Sequence, residues 1–423
     1  MKRIYYLFPI LFVLMALSCQ TSEDFKPVTL VKSGMVFQNG NWSQKDFYIK
    51  DSIITFEGSN PIEDTINASG KYITPGFVEG HTHNLDRSYH HNLVNQYLSE
   101  GILLVRNMTS KSKGVKAFRQ HLDTVPSPRV LYSNWGFTST LGHPFTAYEP
   151  YVLGYYTPKE MKENAKTLRN SRKDLYNAYA FVDSIPQLKE IWPKFLKTDP
   201  DFVKIYYFNE KGIKTRKMGT YGLKYEVAKA IIDSAHAYNL EVHAHIGNTE
   251  EFEKMLDAGV DGFAHTPGFS WEGDSTNLSE YYLTDKMLKK AAERDVILNP
   301  TALINYAKNN NDSILLKKVA SLQTDMIKRY REFGGTIVPG ADWFNQTSQP
   351  MLDYYAKHID LPANELVSIF TEEATQAILP DVKTGKLKDG YEASFLIFDQ
   401  KPFENNNWEK PEHVYLKGEL LKF

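Results

Sequence analysis

Ile73-Thr74-Pro75-Gly76-Phe77-Val78-Glu79-Gly80-His81-Thr82-His83 is the stretch that decides the fold. Its apolar beginning reads as a strand, and side chains alternate along a strand, so His81 and His83 share one face. At the C-terminal rim of a parallel barrel that face is the interior, where two imidazoles can hold a metal ion. A His-x-His pair alone is weak evidence. Behind Pro75-Gly76-Phe77-Val78-Glu79-Gly80, at the end of a strand, it outweighs the competing picture of two surface histidines.

Downstream of Ile73 the pattern is strand then helix, repeated. Candidate strands cover 73–80, 102–107, 129–135, 202–208, 240–245, 261–265, 296–300 and 336–341. Amphipathic stretches such as Leu223 to Ala237, Glu250 to Ala258, Asp285 to Glu293 and Ser313 to Phe333 lie between them. Eight such units predict an α/β chain built as a (β/α)8 TIM barrel over 73–380 rather than an open sheet. The segment 140–200 is long for one unit and predicts an insertion over the barrel mouth. Residues 27–72 and 381–423 read instead as short strands. Turns at Asn39-Gly40 and Lys50-Asp51 suit hairpins. The two ends together predict a small β-sandwich-like domain beside the barrel.

The N-terminus carries a different signal. Lys2 and Arg3 precede the apolar run Ile4 to Leu17, which is short for a membrane span, and Ala16-Leu17-Ser18-Cys19 closes it. Residues 1–18 therefore read as a signal peptide. Cys19 reads as the lipidated first residue of a bacterial lipoprotein, and 19–26 as lipidated Cys plus polar tether. Ala16 departs from the usual Leu of that motif. The expected location is the bacterial cell envelope, membrane-anchored through the lipid and facing the periplasm or the outer surface.

Composition narrows the chemistry. The chain of 423 residues is 42% hydrophobic and 24% charged, with a formal net charge of −2. Without long basic runs, nucleic acid is a poor partner. Cys19 is the single cysteine, which removes a disulfide framework, Cys-based zinc fingers and iron–sulfur clusters. Any metal must be held by carboxylates and by some of the 12 histidines.

Those residues fall at the predicted strand ends. Lys204, in Phe202-Val203-Lys204-Ile205-Tyr206-Tyr207, is costly to bury as a cation. A neutral amine there can take up CO2 as a carbamate and bridge two metal ions. Strand five ends Glu241-Val242-His243-Ala244-His245, and strand six ends at His265. His243 and His245 share a face, so spacing leaves open which is a ligand and which meets the substrate. Strand eight ends at Asp342, a carboxylate able to bind metal and to move a proton, or simply to cap the next helix. His143 and Arg87 are further candidates for substrate contact. Trp343 and Phe344 either line the pocket or pack beneath a loop, and only one of Tyr206 and Tyr207 can point inward.

Taken in order, His81-Thr82-His83, Lys204, His243, His265 and Asp342 resemble the amidohydrolase superfamily of metal-dependent hydrolases. The resemblance spans nearly the whole mature chain and extends to Gly385-Lys386-Leu387, Gly390 and Ala393. The most similar branch holds prolidase-like peptidases and imidazolonepropionase-like proteins. It implies two divalent metal ions, zinc most typically. His81 and His83 would hold one ion and His243 and His265 the second, with carbamylated Lys204 between them and Asp342 on the first. By motif position the resemblance makes His243 the strand-five ligand. The implied reaction is hydrolysis of an amide or peptide bond in a small molecule or short peptide. A metal-bridging hydroxide would attack, and Asp342 would act as general acid/base. Mononuclear deaminases of the superfamily place a Glu three residues after the strand-five His, where this chain has Ile246. The alternatives are a lactone or ester hydrolase on the same site, or a non-catalytic surface binding lipoprotein. Ala393-Ser394-Phe395 and Gly101-Ile102-Leu103-Leu104-Val105-Arg106-Asn107 depart from the family pattern without touching a proposed ligand.

Overall fold

The computed structural model describes residues 28–58, 61–87, 91–268, 280–304 and 312–423. The signal segment, Cys19 and the tether lie outside them. Among the described residues no helix is long and apolar enough to cross a membrane.

The stretch quoted at the outset serves two sheets, not one. Tyr72–Pro75 pairs parallel with Val28–Gln38 and antiparallel with Phe395–Phe398. After Gly76 the chain changes partner, and Phe77–Thr82 runs parallel to Ile102–Asn107 as the first barrel strand. The predicted strand 73–80 therefore breaks at Gly76. A Cβ there would lie 2.5 Å from Leu103 Cδ1, so the crossing needs a residue without a side chain.

Around the barrel, Ile102–Asn107 pairs with Arg129–Tyr132. Gly136–Thr138, Val203–Tyr206, Val242–His245, Gly262–Phe263 and Ile297–Leu298 continue in parallel. The third strand is split between Tyr132 and Gly136, with Asn134 at φ 55° in the gap. That split lets an extra strand from the insertion, Tyr179–Phe181, pair with Gly136–Thr138. The eighth segment makes only one bridge, Leu298 to Ile337. Pro339 has no N–H to give, which keeps it from being a regular strand. It nevertheless completes the ring. Val338 N donates to Leu298 O (2.9 Å) on one side, while Gly80 N donates to Pro339 O (2.7 Å) and Asp342 N to His81 O (2.7 Å) on the other. Every residue of Phe77–Thr82, Val203–Tyr206 and Val242–His245 is buried, as parallel strands under helices require.

The insertion is present. Its helix Phe145–Val152 packs Phe145 and Tyr148 against Leu168, Tyr179 and Phe181. The chain ends form a single eight-stranded sheet rather than two facing sheets, with its own core of Val31, Val36, Phe47, Ile73, Phe395 and Ile397. A register shift between Val31 and Gly34 lets one long strand pair Ile62–Asn67 with its first half and Tyr72–Pro75 with its second. One continuous sheet thus covers what two sheets were expected to cover.

Candidate metal centre at the barrel mouth

Three strand ends bring His81, His83, His265 and Asp342 together. His81 Nε2 lies 3.3 Å from His83 Nε2 and 3.2 Å from Asp342 Oδ1. His83 Nε2 is 3.1 Å from the same oxygen, and His265 Nε2 is 3.7 Å from Asp342 Oδ2. Ligand atoms of His81, His265 and Asp342 all fall within 4.8 Å of one another. The far nitrogens explain the convergence. Nδ1 of His81 meets Ala264 O at 2.9 Å, Nδ1 of His83 meets Thr109 O at 3.1 Å, and Nδ1 of His265 meets Thr301 Oγ1 at 2.8 Å. Each ring is held from behind, which fixes its orientation and turns Nε2 inward.

Backbone strain gathers here. Asp342, Thr109 and Thr301 have φ of 48°, 59° and 43°, a region that β-branched residues avoid. Burial lowers His81 to about 4 and holds His265 well below the usual imidazole range, so both rings are neutral donors at pH 7. Burial alone would raise the Asp342 carboxyl, but the adjoining His81 ring and the hydrogen bonds from His81 and His83 keep it well below the carboxylate range.

Lys204 lies beneath this cluster, its Nζ 5.3 Å from the Tyr206 ring centre. Burial brings its amine down to about 7, with Asp342 pulling the other way.

Strand five places its two histidines differently. His245 is the residue that joins the site, its ring 4.6 Å from that of His265. His243 points down the barrel. Its Nε2 is shared between Arg106 Nη1 at 2.9 Å and Glu241 Oε2 at 3.2 Å, and its Nδ1 faces Gly262 with no hydrogen-bond partner among the described residues. The cause is geometric. Two residues along a strand is nearly 7 Å of rise, a full layer of the barrel. Counted from His245, the deaminase acid position falls on Asn248, so the contrast with deaminases holds from either histidine.

The tentative substrate residues divide. His143 reaches the site, with its ring stacked 4.9 Å from His245 and 5.0 Å from Tyr206. Arg87 lies beside the site, but its Nε is 3.1 Å from the wholly buried Asp86 and its guanidinium lies over Tyr148. Tyr206 points in, with its hydroxyl 2.8 Å from Thr109 Oγ1, while Tyr207 points out towards Tyr225. Trp343 packs into the main core, and Phe344 stacks on His83 at 4.7 Å.

Several residues escaped the sequence reading. Tyr148 donates to Thr109 O (2.9 Å), backing the His83 anchor. Glu79 is fully buried, and burial raises its carboxyl to about 7 even though it accepts from His81 N, Ala341 N and Ser348 Oγ. It ties the first strand to the eighth. Glu79 stood in the quoted motif, but only the closed ring gives it partners.

Inward Nε2 atoms, neutral rings and an ionised carboxylate make a donor set that fits divalent metal ions. The family model described as amidohydrolase matches residues 72–421. Ochratoxinase of A. niger has a similar structure, with TM-score 0.67 at 19% identity, over 93% of this chain and 95% of that chain. A Xaa-Pro dipeptidase with bound methionine in its active site gives TM-score 0.69 at 18% identity, over 94% and 100%. Molinate hydrolase gives TM-score 0.69 at 14% identity, over 93% and 94%. At these identities the likeness is one of fold. A dihydroorotase of Staphylococcus aureus (strain MRSA252) is 42% identical over 59 residues, only 13% of this chain and 14% of that protein.

Proposed function

The chain belongs to the amidohydrolase family, and on that premise we propose that it hydrolyses an amide or peptide C–N bond at a two-metal site. The ions, zinc in this proposal, would be held by His81, His83, His245, His265 and Asp342 and by a carbamate on Lys204. The convergence of three back-anchored Nε2 atoms on the Asp342 carboxylate is the observation that carries the proposal. When bound, divalent ions supply Lewis acidity towards water and towards the scissile carbonyl.

The remaining steps belong to the protein. Asp342, ionised and at the mouth, accepts the proton of the attacking water as the new C–O bond forms. It returns that proton to the nitrogen as the C–N bond breaks. Lys204, buried with its amine brought down to about 7, is neutral often enough near neutrality to add CO2. His143, stacked on His245, would hydrogen-bond the substrate carbonyl. The lipid anchor at Cys19 and the envelope location are proposed with it, on the sequence of residues 1–19 alone.

Elemental analysis and native mass spectrometry test the site together. Two ions per chain, plus the mass of one CO2 that disappears in Lys204→Ala, is the expected result. One ion without CO2 would replace the two-metal mechanism with a one-metal one. Absence of metal after reconstitution would end the hydrolase proposal.

A further inference from the structure

The rings of the centre form a continuous row. Phe344 stacks on His83 at 4.7 Å, with planes 6° apart, and His83 lies 5.2 Å from His81. His81 is then 4.8 Å from His265, His265 4.6 Å from His245, and His245 5.0 Å from Phe208. A phenylalanine flanks the histidines on each side, and Phe344 also packs against the core of the insertion. Each end is built alike: Phe344 also meets the Tyr148 ring at 6.2 Å, and Phe208 meets the His143 ring at 5.9 Å. Phe208, Phe344 and His143 are only partly buried, whereas His81 and His265 at the middle are closed off. The polar middle of the row thus carries the chemistry, and its open ends are aromatic.

Charge on the rim points the same way. Among the described residues Arg87 is a cation beside Tyr148, and its charge is balanced by buried Asp86, whose Oδ2 also accepts from Lys111 N at 2.6 Å. Binding a substrate carboxylate there would pull the guanidinium from a buried partner, which is costly.

From this we propose that Phe208 and Phe344 clamp the substrate, which is a neutral amide with a flat apolar group on each side of the scissile C–N bond. The proposal rests on the hydrolase reading for the position of that bond. An offset-stacked or edge-on aromatic contact adds about two- to tenfold in affinity at each end beyond simple burial.

The test uses the zinc-loaded full chain and two blocked dipeptides, acetyl-Phe-Phe-amide and acetyl-Gly-Gly-amide. Binding is read by calorimetry on Asp342→Asn, and turnover on the unsubstituted chain. The expected result is at least tenfold tighter binding of the Phe-Phe peptide, falling to within about threefold when Phe208→Leu and Phe344→Leu are combined. Metal content and melting temperature of the Leu variants show whether the centre is intact. Equal binding of both peptides overturns the clamp, whether or not either is cleaved. Selective binding without cleavage by the unsubstituted chain keeps the clamp and sinks the hydrolase reading instead.

Discussion

His243 and His245 are separated by one alanine, lie on one strand and face one interior, yet they live in different chemistry. His245 is ringed by His143, Tyr206, Phe208 and His265 at the mouth. His243 is on the floor, against Arg106, Glu241 and the Phe202 ring. Burial and the Arg106 charge both disfavour its protonation. Arg106 is 2% exposed, bonded to Glu241 at 2.6 Å and placed over Phe202. A barrel interior is layered, and a single step of the pleat moves a residue from the reactive layer to the structural one. At the mouth, the Nε2 atoms turn towards the Asp342 carboxylate. On the floor, Nε2 of His243 is taken up by Arg106 and Glu241, and its Nδ1 is turned against Gly262.

The sharpest break would come from Asp342→Asn, which removes the proton carrier at the mouth and is expected to lower kcat by about a thousandfold. The melting temperature should hardly change, since its backbone bond to His81 O remains. Retained turnover would remove Asp342 from its role. The two histidines give the paired test. His245→Ala should lose one metal ion per chain and most activity. His243→Ala should keep its full metal content but unfold about 2–4 kcal/mol more easily, because it opens a buried gap beside an arginine. Metal loss in His243→Ala rather than His245→Ala would restore the motif-based assignment.

The anchoring residues carry a smaller effect. Thr301→Val removes the oxygen that holds His265 Nδ1 while keeping the volume. Metal affinity should fall about 10–100-fold, measured by chelator competition. An unchanged affinity would mean that ring packing alone orients His265.

Much of this could be read from the chain. The barrel, the insertion and the strand ends bearing His81, His83, Lys204, His265 and Asp342 follow from the apolar rhythm and from the rule that reactive groups sit at C-terminal strand ends. On strand five that rule left His243 and His245 open. Motif position favoured His243, and nothing local to the strand could say that Arg106, over a hundred residues upstream, would claim it. Thr109 and Thr301 were invisible for a different reason. They act through a carbonyl and a hydroxyl aimed by left-handed backbone, which no side-chain pattern announces. The Tyr72–Pro75 segment was misassigned because an apolar strand looks the same in either sheet, and only the close approach at Gly76 marks the crossing.

The floor should also show itself in acid. Burial by itself would raise the Glu241 carboxyl, but the hydrogen bond with His243 and the Arg106 charge hold it down at about 2. A carboxyl whose pKa is lower in the folded state than in the unfolded chain adds stability above the unfolded value, near 4.5, and loses it as pH falls towards 2. Denaturant melts between pH 5 and 2.5 should therefore show falling stability that Glu241→Gln flattens. The side chain is 39% exposed, so solvent screens part of the interaction and the flattening should be the smallest of these effects. An unaltered acid slope in Glu241→Gln would mean that the Arg106–His243 contact holds the floor without its carboxylate. The floor would then be a packed layer, and its difference from the mouth one of shape rather than of charge.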